Sequence, residues 1–543
     1  MDTEKATSSH EVSQNLTRVG SEALEPENFE AGNQTSSPYP EGIRFWLITS
    51  GMCIALFLTN LEIPIVTTSL VAITDDLGGF DKAGWLISSY LLGYVGVVVI
   101  FAKLSDIFGR KPLFATAISF FVIASAACGA AQTIVQLIVF RAFQGIGGGG
   151  CFALGVTMIT DLVPPQKWAA FGTNIAIVYA ISLLAGPIMG GAISERTTWR
   201  WVFLINIPCG VPALLLIVFA IPPGFPRHNV PNNAPQTFRS FLVKDAYKRL
   251  DFPGGILLLL ATLTLTAGFH EADSAFPWKS AYVITLLTAS IILWITLILW
   301  ERHVTLADGD REPVMPWVFL KSRTVLGLLL GSTFLGGTWF VGVFTLPQKF
   351  QLVHNTTALS AGIRTMPFTF AAPLGAAWAS SVTGRYKVPV IFVLFISAAL
   401  QILGFSLLAT LPDTMNVPAR MYGFQIIAGF GCGITISLPA VVMPFIVDAK
   451  HRAVGMGAVG QVRIMGGAIV LSIATSVFHS YTKPRLGAHY HVSTSRFGHE
   501  TNPEEVRSIY AQGYNRQMIV LAAFAGAQVL AASLLWKKKQ VTI

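Results

Sequence analysis

Charge is scarce in this sequence. Asp, Glu, Lys and Arg make up 12% of its 543 residues, about half of the roughly 25% that a soluble domain carries. Most of its surface therefore faces something other than water. Cysteine is scarce as well. The five present (Cys53, Cys128, Cys151, Cys209 and Cys432) all fall inside apolar runs, where they read as packing residues and not as a disulfide framework or metal cage. No Gly-Lys pair occurs anywhere, which excludes a phosphate loop ending in Gly-Lys-Ser/Thr despite the glycines at 145 and 147–150. Neither His-x-x-x-His nor Gly-x-Ser-x-Gly is present, so the usual metal and nucleophile constellations of a membrane enzyme are missing. Residues 1–42, rich in Ser, Glu, Asn and Pro, have no apolar core; they read as a disordered tail and not as a signal peptide. A membrane sensor would need a large soluble signalling domain, and the polar segments are short.

What is abundant is hydrophobicity. Apolar residues are 53% of the chain and the mean hydropathy is +0.60. Runs of about 20 apolar residues, long enough to cross a hydrocarbon core of ~30 Å, recur throughout. In lipid such runs must satisfy their own backbone polar groups, which makes them helices. Fourteen spans are expected, near 45–72, 84–102, 112–131, 136–160, 170–193, 202–221, 253–270, 281–300, 324–346, 359–383, 388–410, 419–447, 454–478 and 517–536. An even number puts both termini on one side of the lipid bilayer.

Basic residues choose the side. After even-numbered spans come Lys103, Arg110 and Lys111; Arg227, Arg239, Lys244, Lys248 and Arg249; Arg302, Arg311, Lys321 and Arg323; Arg385 and Lys387; Lys450 and Arg452; and finally Lys537, Lys538 and Lys539. The other side has Lys82, Arg196, Arg200, Lys279, Lys349 and Arg420 in its short loops. The positive-inside rule makes both termini cytoplasmic. The net charge of +9 is thus an orientation signal, and no nucleic acid partner is expected.

A faint repeat runs through the chain. The stretch from Ala102 to Lys111 after span 2 is echoed from Ala377 to Lys387 after span 10. Arg141-Ala-Phe-Gln144-Gly145-Ile-Gly147 in span 4 is echoed by Gln425-Ile-Ile-Ala-Gly429-Phe-Gly431 in span 12. Spans 1–6 therefore match spans 9–14, with spans 7 and 8 inserted. Two similar halves around a central site are the architecture of an alternating-access transporter. The expected divisions are a tail at 1–42, a six-helix bundle at 43–222, cytoplasmic loops with two inserted helices at 223–321, a second bundle at 322–537 with a long external loop at 480–516, and a cytoplasmic tail at 538–543.

Five motifs resemble the major facilitator superfamily, and within it the fourteen-helix drug:proton antiporters. Lys103-Leu-Ser-Asp106-Ile-Phe-Gly109-Arg110-Lys111 resembles the loop 2–3 signature, with Ala102 for the leading glycine. Arg141 with Gln144-Gly145 resembles the helix 4 motif. Gly186-Pro187-Ile-Met-Gly190-Gly191 resembles the antiporter motif of helix 5, with Ser182 where a glycine is usual. Trp199-Arg200-Trp201-Val-Phe203-Leu-Ile-Asn206-Ile-Pro208 resembles a motif of the fourteen-helix group, and Leu61-Glu62-Ile-Pro64-Ile-Val66 the helix 1 motif, with Glu62 for Asp. Leu359-Ser-Ala-Gly362-Ile-Arg364-Thr-Met-Pro367 and the polar tail resemble fungal efflux pumps for toxins and other secondary metabolites. The resemblance implies an all-α major facilitator fold without cofactor or metal.

An ionisable residue inside a span is a functional candidate by default. Glu62, beside the helix-opening Pro64, is expected to handle protons or a cationic substrate; its bland alternative is an acid at the outer interface beside Asp75 and Asp76. Arg141 is expected to bias the protonation of a nearby acid, and Gln144, one turn on, to face the same way and hydrogen-bond substrate. Arg463 is expected to line the cavity or pair with an acid, Arg364 to snorkel at the outer interface. The loop 2–3 residues Lys103, Asp106, Gly109, Arg110 and Lys111 are read as a conformational latch, with Asp106 against a helix N-terminus or an arginine of the other half. Gly186, Pro187, Gly190 and Gly191 read as a bent, closely packed helix, and the span 4 glycines as small-xxx-small packing. Trp339, Phe340, Phe344, Phe368 and Phe370 face either a substrate cavity or lipid. Asn355-Thr356-Thr357 is a glycosylation sequon; His489, His491 and His499 read as a solvated loop. These residues imply a monomeric, proton-coupled exporter of a bulky apolar or cationic toxin, metabolite or drug across the plasma membrane. The alternatives are uptake or vacuolar loading of an iron chelate or basic amino acid and, more remotely, a sensor.

Overall fold

The computed structural model describes residues 39–78, 83–222, 225, 249–272, 276–307, 311–486, 503–537, 540 and 542. Residues 1–38, Lys82, Arg227, Arg239, Lys244, Lys248, His489, His491, His499, Lys538 and Lys539 lie outside the described residues. Among those described there are fourteen long helices: α1 Gly42–Leu77, α2 Ala83–Phe108, α3 Arg110–Ala130, α4 Ile134–Leu162, α5 Trp168–Arg196, α6 Trp201–Ala220 with a one-residue interruption at Ile205, α7 Phe252–Glu271, α8 Ala281–Leu306, α9 Arg323–His354, α10 Ala358–Gly384, α11 Val390–Ala409, α12 Arg420–Ile446, α13 Arg452–Leu486 and α14 Pro503–Ser533. The face where α1 begins and α14 ends is called the near face, its opposite the far face.

Thirteen of these helices are long and apolar enough to cross a membrane. The exception, α10, has 27 residues. Its Ala, Gly, Ser and Thr content, together with Pro367 and Pro373, dilutes the hydropathy without shortening the helix. Several starts are capped in the usual way, by Thr133 for α4, Ser280 for α8, Ser322 for α9 and Thr357 for α10, each side chain accepting from a backbone N–H. Three expected boundaries fall short. Helix α9 continues through Pro347, Gln348 and Lys349 to His354, because buried Phe350 and Val353 resume its apolar face. Lys349 is consequently not a loop charge but a helical residue at 1% exposure. Helices α13 and α14 also extend into the 480–516 segment, reaching Leu486 and starting at Pro503.

The pattern of helix contacts repeats. Helix α2 packs on α4, α3 on α4, α1 on α5 and α6, and α3 on α6; α10 packs on α12, α11 on α12, α9 on α13 and α14, and α11 on α14. Lipid gives little hydrophobic drive for helix association, so close backbone approach must supply it. The same device serves both bundles: a Cβ at Gly145 would overlap the Tyr90 carbonyl of α2, and one at Gly429 the Phe368 carbonyl of α10. The span 4 glycines are packing residues as read. Inserted helix α7 rests on α8, α2 and α13.

The bundles meet chiefly along two pairs of helices, α5 with α10 and α2 with α13, with smaller contacts of α4 with α13 and of α5 with α12. Toward the far face Pro187 of α5 lies against Gly362 of α10. Toward the near face Gln461 of α13 accepts from the Val99 N–H at 3.0 Å, and Trp168 of α5 packs on Phe445 of α12 with ring centroids 4.9 Å apart. Between these contacts runs a chain of cavities.

Candidate functional site

Glu62 and Arg141 come together, but inside the first bundle and not on the cavity. Glu62 of α1 and Arg141 of α4 are 1% and 0% exposed, with Nη1 2.5 Å from Oε2. The same Nη1 donates to Gln144 Oε1 at 2.7 Å and Nε to the Leu86 carbonyl at 3.1 Å. Gln144 in turn donates to Ser125 of α3 at 2.7 Å. The second carboxylate oxygen accepts a short hydrogen bond from Asn206 of α6, whose amide also reaches Ser125 at 3.2 Å. The guanidinium lies over the Tyr90 ring, 4.4 Å from its centroid. Arg141 Nη2 and Asn206 Oδ1 make no hydrogen bond, so the network is not saturated.

This geometry removes the bland alternative for Glu62, an acid at the outer interface beside Asp75 and Asp76, and corrects one expectation. Gln144, fully buried, uses its amide on Arg141 and Ser125 and is not open to a substrate. Asn206, Ser125 and Tyr90 were not singled out. Asn206 had a signal, since it lies in the Trp199–Pro208 motif, and the rest of that motif supports the same corner: Trp199 Nε1 donates to Asp76 at 2.9 Å and Arg200 to the carbonyls of Gly129 and Ala131.

The second bundle has a network in the corresponding place without any charge. Thr338 of α9 donates to Gln401 of α11 at 2.8 Å, and Gln401 exchanges hydrogen bonds with Gln528 of α14 at 3.1 and 2.9 Å. Ser397 of α11 and Thr435 of α12 complete it. Gln425, the echo of Arg141, is fully buried and its amide makes no hydrogen bond.

The cavities between the bundles are apolar and aromatic. The central one, of about 820 Å³, is bordered by Asn60, Tyr94, Phe152, Tyr179, Trp339 and Arg463 among others. A second, of about 640 Å³, continues toward the near face past Arg463 to Trp168 and Pro444. A third, of about 770 Å³, meets the first at Leu183 and leads toward the far face between Pro187, Phe344 and Gly362. Arg463 borders the central and near cavities; among the described residues its hydrogen bond goes to the Ile436 carbonyl at 3.3 Å and no carboxylate pairs with it. Trp339 and Phe340 line the central cavity and Phe344 the far one. Phe368 is buried behind Trp339, with centroids 5.3 Å apart, and Phe370 faces outward.

The loop between α2 and α3 forms an ionic knot at the near face. Gly109, at φ +93°, lets the chain reverse between the two helices. Arg110 bridges Asp106 at 2.7 Å and Asp161 of α4 at 2.8 Å. Asp106 is therefore paired within its own bundle, not with an arginine of the other half. Lys111 donates to the Ile221 carbonyl at 2.8 Å. The member that reaches outside the bundle is Lys103, 2.5 Å from Glu312 in the segment between α8 and α9, which Arg249 also contacts.

In the antiporter motif, Gly186 and Gly190 make room for Pro64 and Ile65 of α1, Pro187 faces α10, and Gly191 faces open space. Arg364 is half-buried and donates to the Tyr422 hydroxyl at 2.5 Å, so it is held in place and not simply snorkelling. Asn355 is exposed in the left-handed conformation (φ 49°) after α9.

Residues 52–471 match the model of the Major Facilitator Superfamily. The MFS-type transporter FPY5 of Fusarium mangiferae is 37% identical over 512 residues, covering 92% of this chain and 85% of that protein. An MFS-type efflux pump of Arthroderma benhamiae is 30% identical over 85% of this chain and 82% of its own length. The human organic anion transporter MFSD10 shares the fold, with a TM-score of 0.58 at 12% identity over 91% of this chain and all of that one. The two-bundle helical fold is that of a multi-pass membrane transporter of small molecules. The chain belongs to the Major Facilitator Superfamily and resembles its fungal efflux pumps.

Proposed function

We propose that the chain is a monomeric exporter that moves a bulky, largely apolar organic molecule outward in exchange for protons. The observation that carries this reading is the Glu62–Arg141–Asn206 network. A carboxylate this deeply buried has two self-consistent states: ionised and paired with Arg141, or protonated and released from it. Thr59, Asn60 and Ile63 of α1 border the cavity while Glu62 points into the bundle. One turn of helix thus touches both substrate and proton site. Pro64 of the same segment lies against Gly186 of α5, and α5 contacts α10 across the bundle interface. Protonation would loosen α1 from α4, and α5 would carry that change to the far-face contact, so proton and substrate each favour one state.

Lys103, Asp106, Gly109, Arg110 and Lys111 would hold the near face shut, with Glu312 as the counter-charge beyond the bundle. The excess of lysine and arginine near that face supports a cytoplasmic near face, and the plasma membrane is the proposed location. The fungal efflux-pump relatives favour export over uptake or vacuolar loading. A basic amino acid fits poorly, because Arg463 is the charged residue of the described cavity lining; the same positive charge opposes the cationic substrate expected from sequence.

The test is substrate-dependent proton flux in proteoliposomes, offering a panel of secondary metabolites and lipophilic drugs under an imposed pH gradient. Substrate is expected to accumulate only while protons run down their gradient. Glu62→Gln is expected to lose that accumulation by a factor of tens, the size of a typical coupling free energy. Normal coupling in the variant would show that Glu62 is a structural ion-pair partner only.

A further inference from the structure

Resting on the reading of the central cavity as the substrate site, we infer that its substrate carries a carboxylate or comparable delocalised oxyanion, held by Arg463 and Tyr179. The lining of all three cavities contains one charged side chain among the described residues, Arg463. Its Nη1 donates to the Ile436 carbonyl at 3.3 Å and its guanidinium carbon stands 5.7 Å from the Phe152 centroid. Neither partner is a counter-charge. Arginine stays protonated, and a buried cation without an anion is costly. Elsewhere this protein pairs its buried guanidiniums, Arg141 with Glu62 and Arg110 with Asp106 and Asp161. The unmatched one opens onto the central cavity.

A second observation points the same way. The Tyr179 hydroxyl is buried and has no hydrogen-bond partner among the described residues, although its ring is fixed by stacking on Phe152 at 6.2 Å. Tyr179 and Arg463 border both the central and the near cavity, and Tyr94 borders the central one. Tyr94, Tyr179 and Arg463, which carry O–H or N–H donors, border the same space, and the uncharged side chains there that carry a non-phenolic oxygen are Thr59 and Asn60. A donor-rich polar end set in an aromatic and aliphatic wall fits an amphipathic molecule with one anionic end. Such a ligand supplies the counter-charge that the protein withholds, through the planar bidentate geometry guanidinium favours.

Binding to the full-length protein in detergent, read by quenching of tryptophan fluorescence, tests this with three probes of one shape: 1-pyrenebutanoate, its methyl ester and 1-pyrenebutylamine. The acid is expected to bind about 10- to 100-fold more tightly than the ester or amine, the ratio expected when a charge-assisted hydrogen bond is lost. Arg463→Gln should bring the acid down to the ester, Arg463→Lys should keep part of the preference, and Tyr179→Phe should reduce it less than Arg463→Gln does. Equal binding of acid and ester by the wild type overturns the inference, as does an undiminished preference in Arg463→Gln. If Arg463→Gln does not survive purification, the wild-type ratio and Tyr179→Phe decide. The assay uses no gradient: acid binding without proton-coupled flux overturns the exporter reading alone, and coupled export indifferent to the carboxylate overturns this inference alone.

Discussion

The two bundles solve the same packing problem with different chemistry at their hearts. Helices α1, α3, α4 and α6 converge on Glu62, Ser125, Arg141, Gln144 and Asn206; their counterparts α9, α11, α12 and α14 converge on Thr338, Ser397, Gln401, Thr435 and Gln528. One centre holds a desolvated ion pair, the other amides and hydroxyls. Helix packing repeats the backbone, while of these two polar centres the first alone contains ionisable side chains, Glu62 and Arg141. A neutral network satisfies its hydrogen bonds at any ordinary pH, so the second bundle is suited to being the stator and the first to being the part that changes state.

Removing one charge is the strongest way to break this comparison. Arg141→Met strands the Glu62 carboxylate in the bundle and is expected to cost about 3–5 kcal/mol, measured by denaturant or thermal unfolding in detergent. The double variant with Glu62→Gln should recover part of that loss, because it removes the stranded charge. Next come paired glycines. Gly145→Ala and Gly429→Ala each drive a methyl into the backbone of a partner helix, and each should cost about 1–3 kcal/mol; equal losses in unfolding would sharpen the symmetry, and a cost in one bundle only would sink it. Gln401→Leu leaves Thr338 and Gln528 short of a partner for about 1–3 kcal/mol. Unlike Glu62→Gln, it should leave the ratio of protons to substrate unchanged in vesicles.

The smallest effect belongs to the near face. Burial alone would raise the Glu312 carboxyl, but hydrogen bonds and charges from Lys103 and then Arg249 outweigh it and hold the group below the usual glutamate value. A depressed carboxylate contributes stability above its unfolded value and loses it as pH falls through the folded one. The Lys103–Glu312 clamp is therefore intact at neutrality and released only as the pH falls below the ordinary glutamate range. The change should be worth about 1 kcal/mol, the net worth of a typical hydrogen bond, for a pair whose side chains are 3% and 14% exposed. Hydrogen exchange of residues 311–315 should rise as the pH falls through that range, after correction for intrinsic rates, and Glu312→Gln should flatten the dependence.

Sequence reading located the membrane helices well because hydropathy and length act locally. It lost α9 after residue 346, α13 after 478 and the first turns of α14 for the same reason: these stretches are polar, yet tertiary burial carries Lys349, Thr482 and Tyr514 inside. The motifs named Glu62 and Arg141 as charged residues in need of partners. Their direction was not legible. Whether a side chain on α1 or α4 faces the cavity or the bundle depends on helix rotation, which spacing along one chain does not determine. The direction of Gln144 turns on that rotation, and nothing in the spacing of the Trp199–Pro208 motif places Asn206 against Glu62. Asp106 was assigned a distant partner although Arg110, four residues on, was near enough to take it. Trp339 and Phe370 show the limit again: both are aromatic in neighbouring helices, but one borders the cavity and the other turns outward.

Helix α1 advances about 100° per residue, so Asn60 and Ile63 on one side and Glu62 on the other cannot be reshaped separately. A substitution there that admits a wider molecule also tilts the carboxylate against Arg141, and broader cargo comes with altered energy conversion. The Trp339 and Phe340 wall carries no such burden, since Thr338, which shares their turn, bonds to neutral groups. Selection for new cargo, whether by natural drug pressure or in a directed-evolution experiment, is thus expected to leave α1 nearly fixed and to accumulate its changes on the aromatic side of the second bundle.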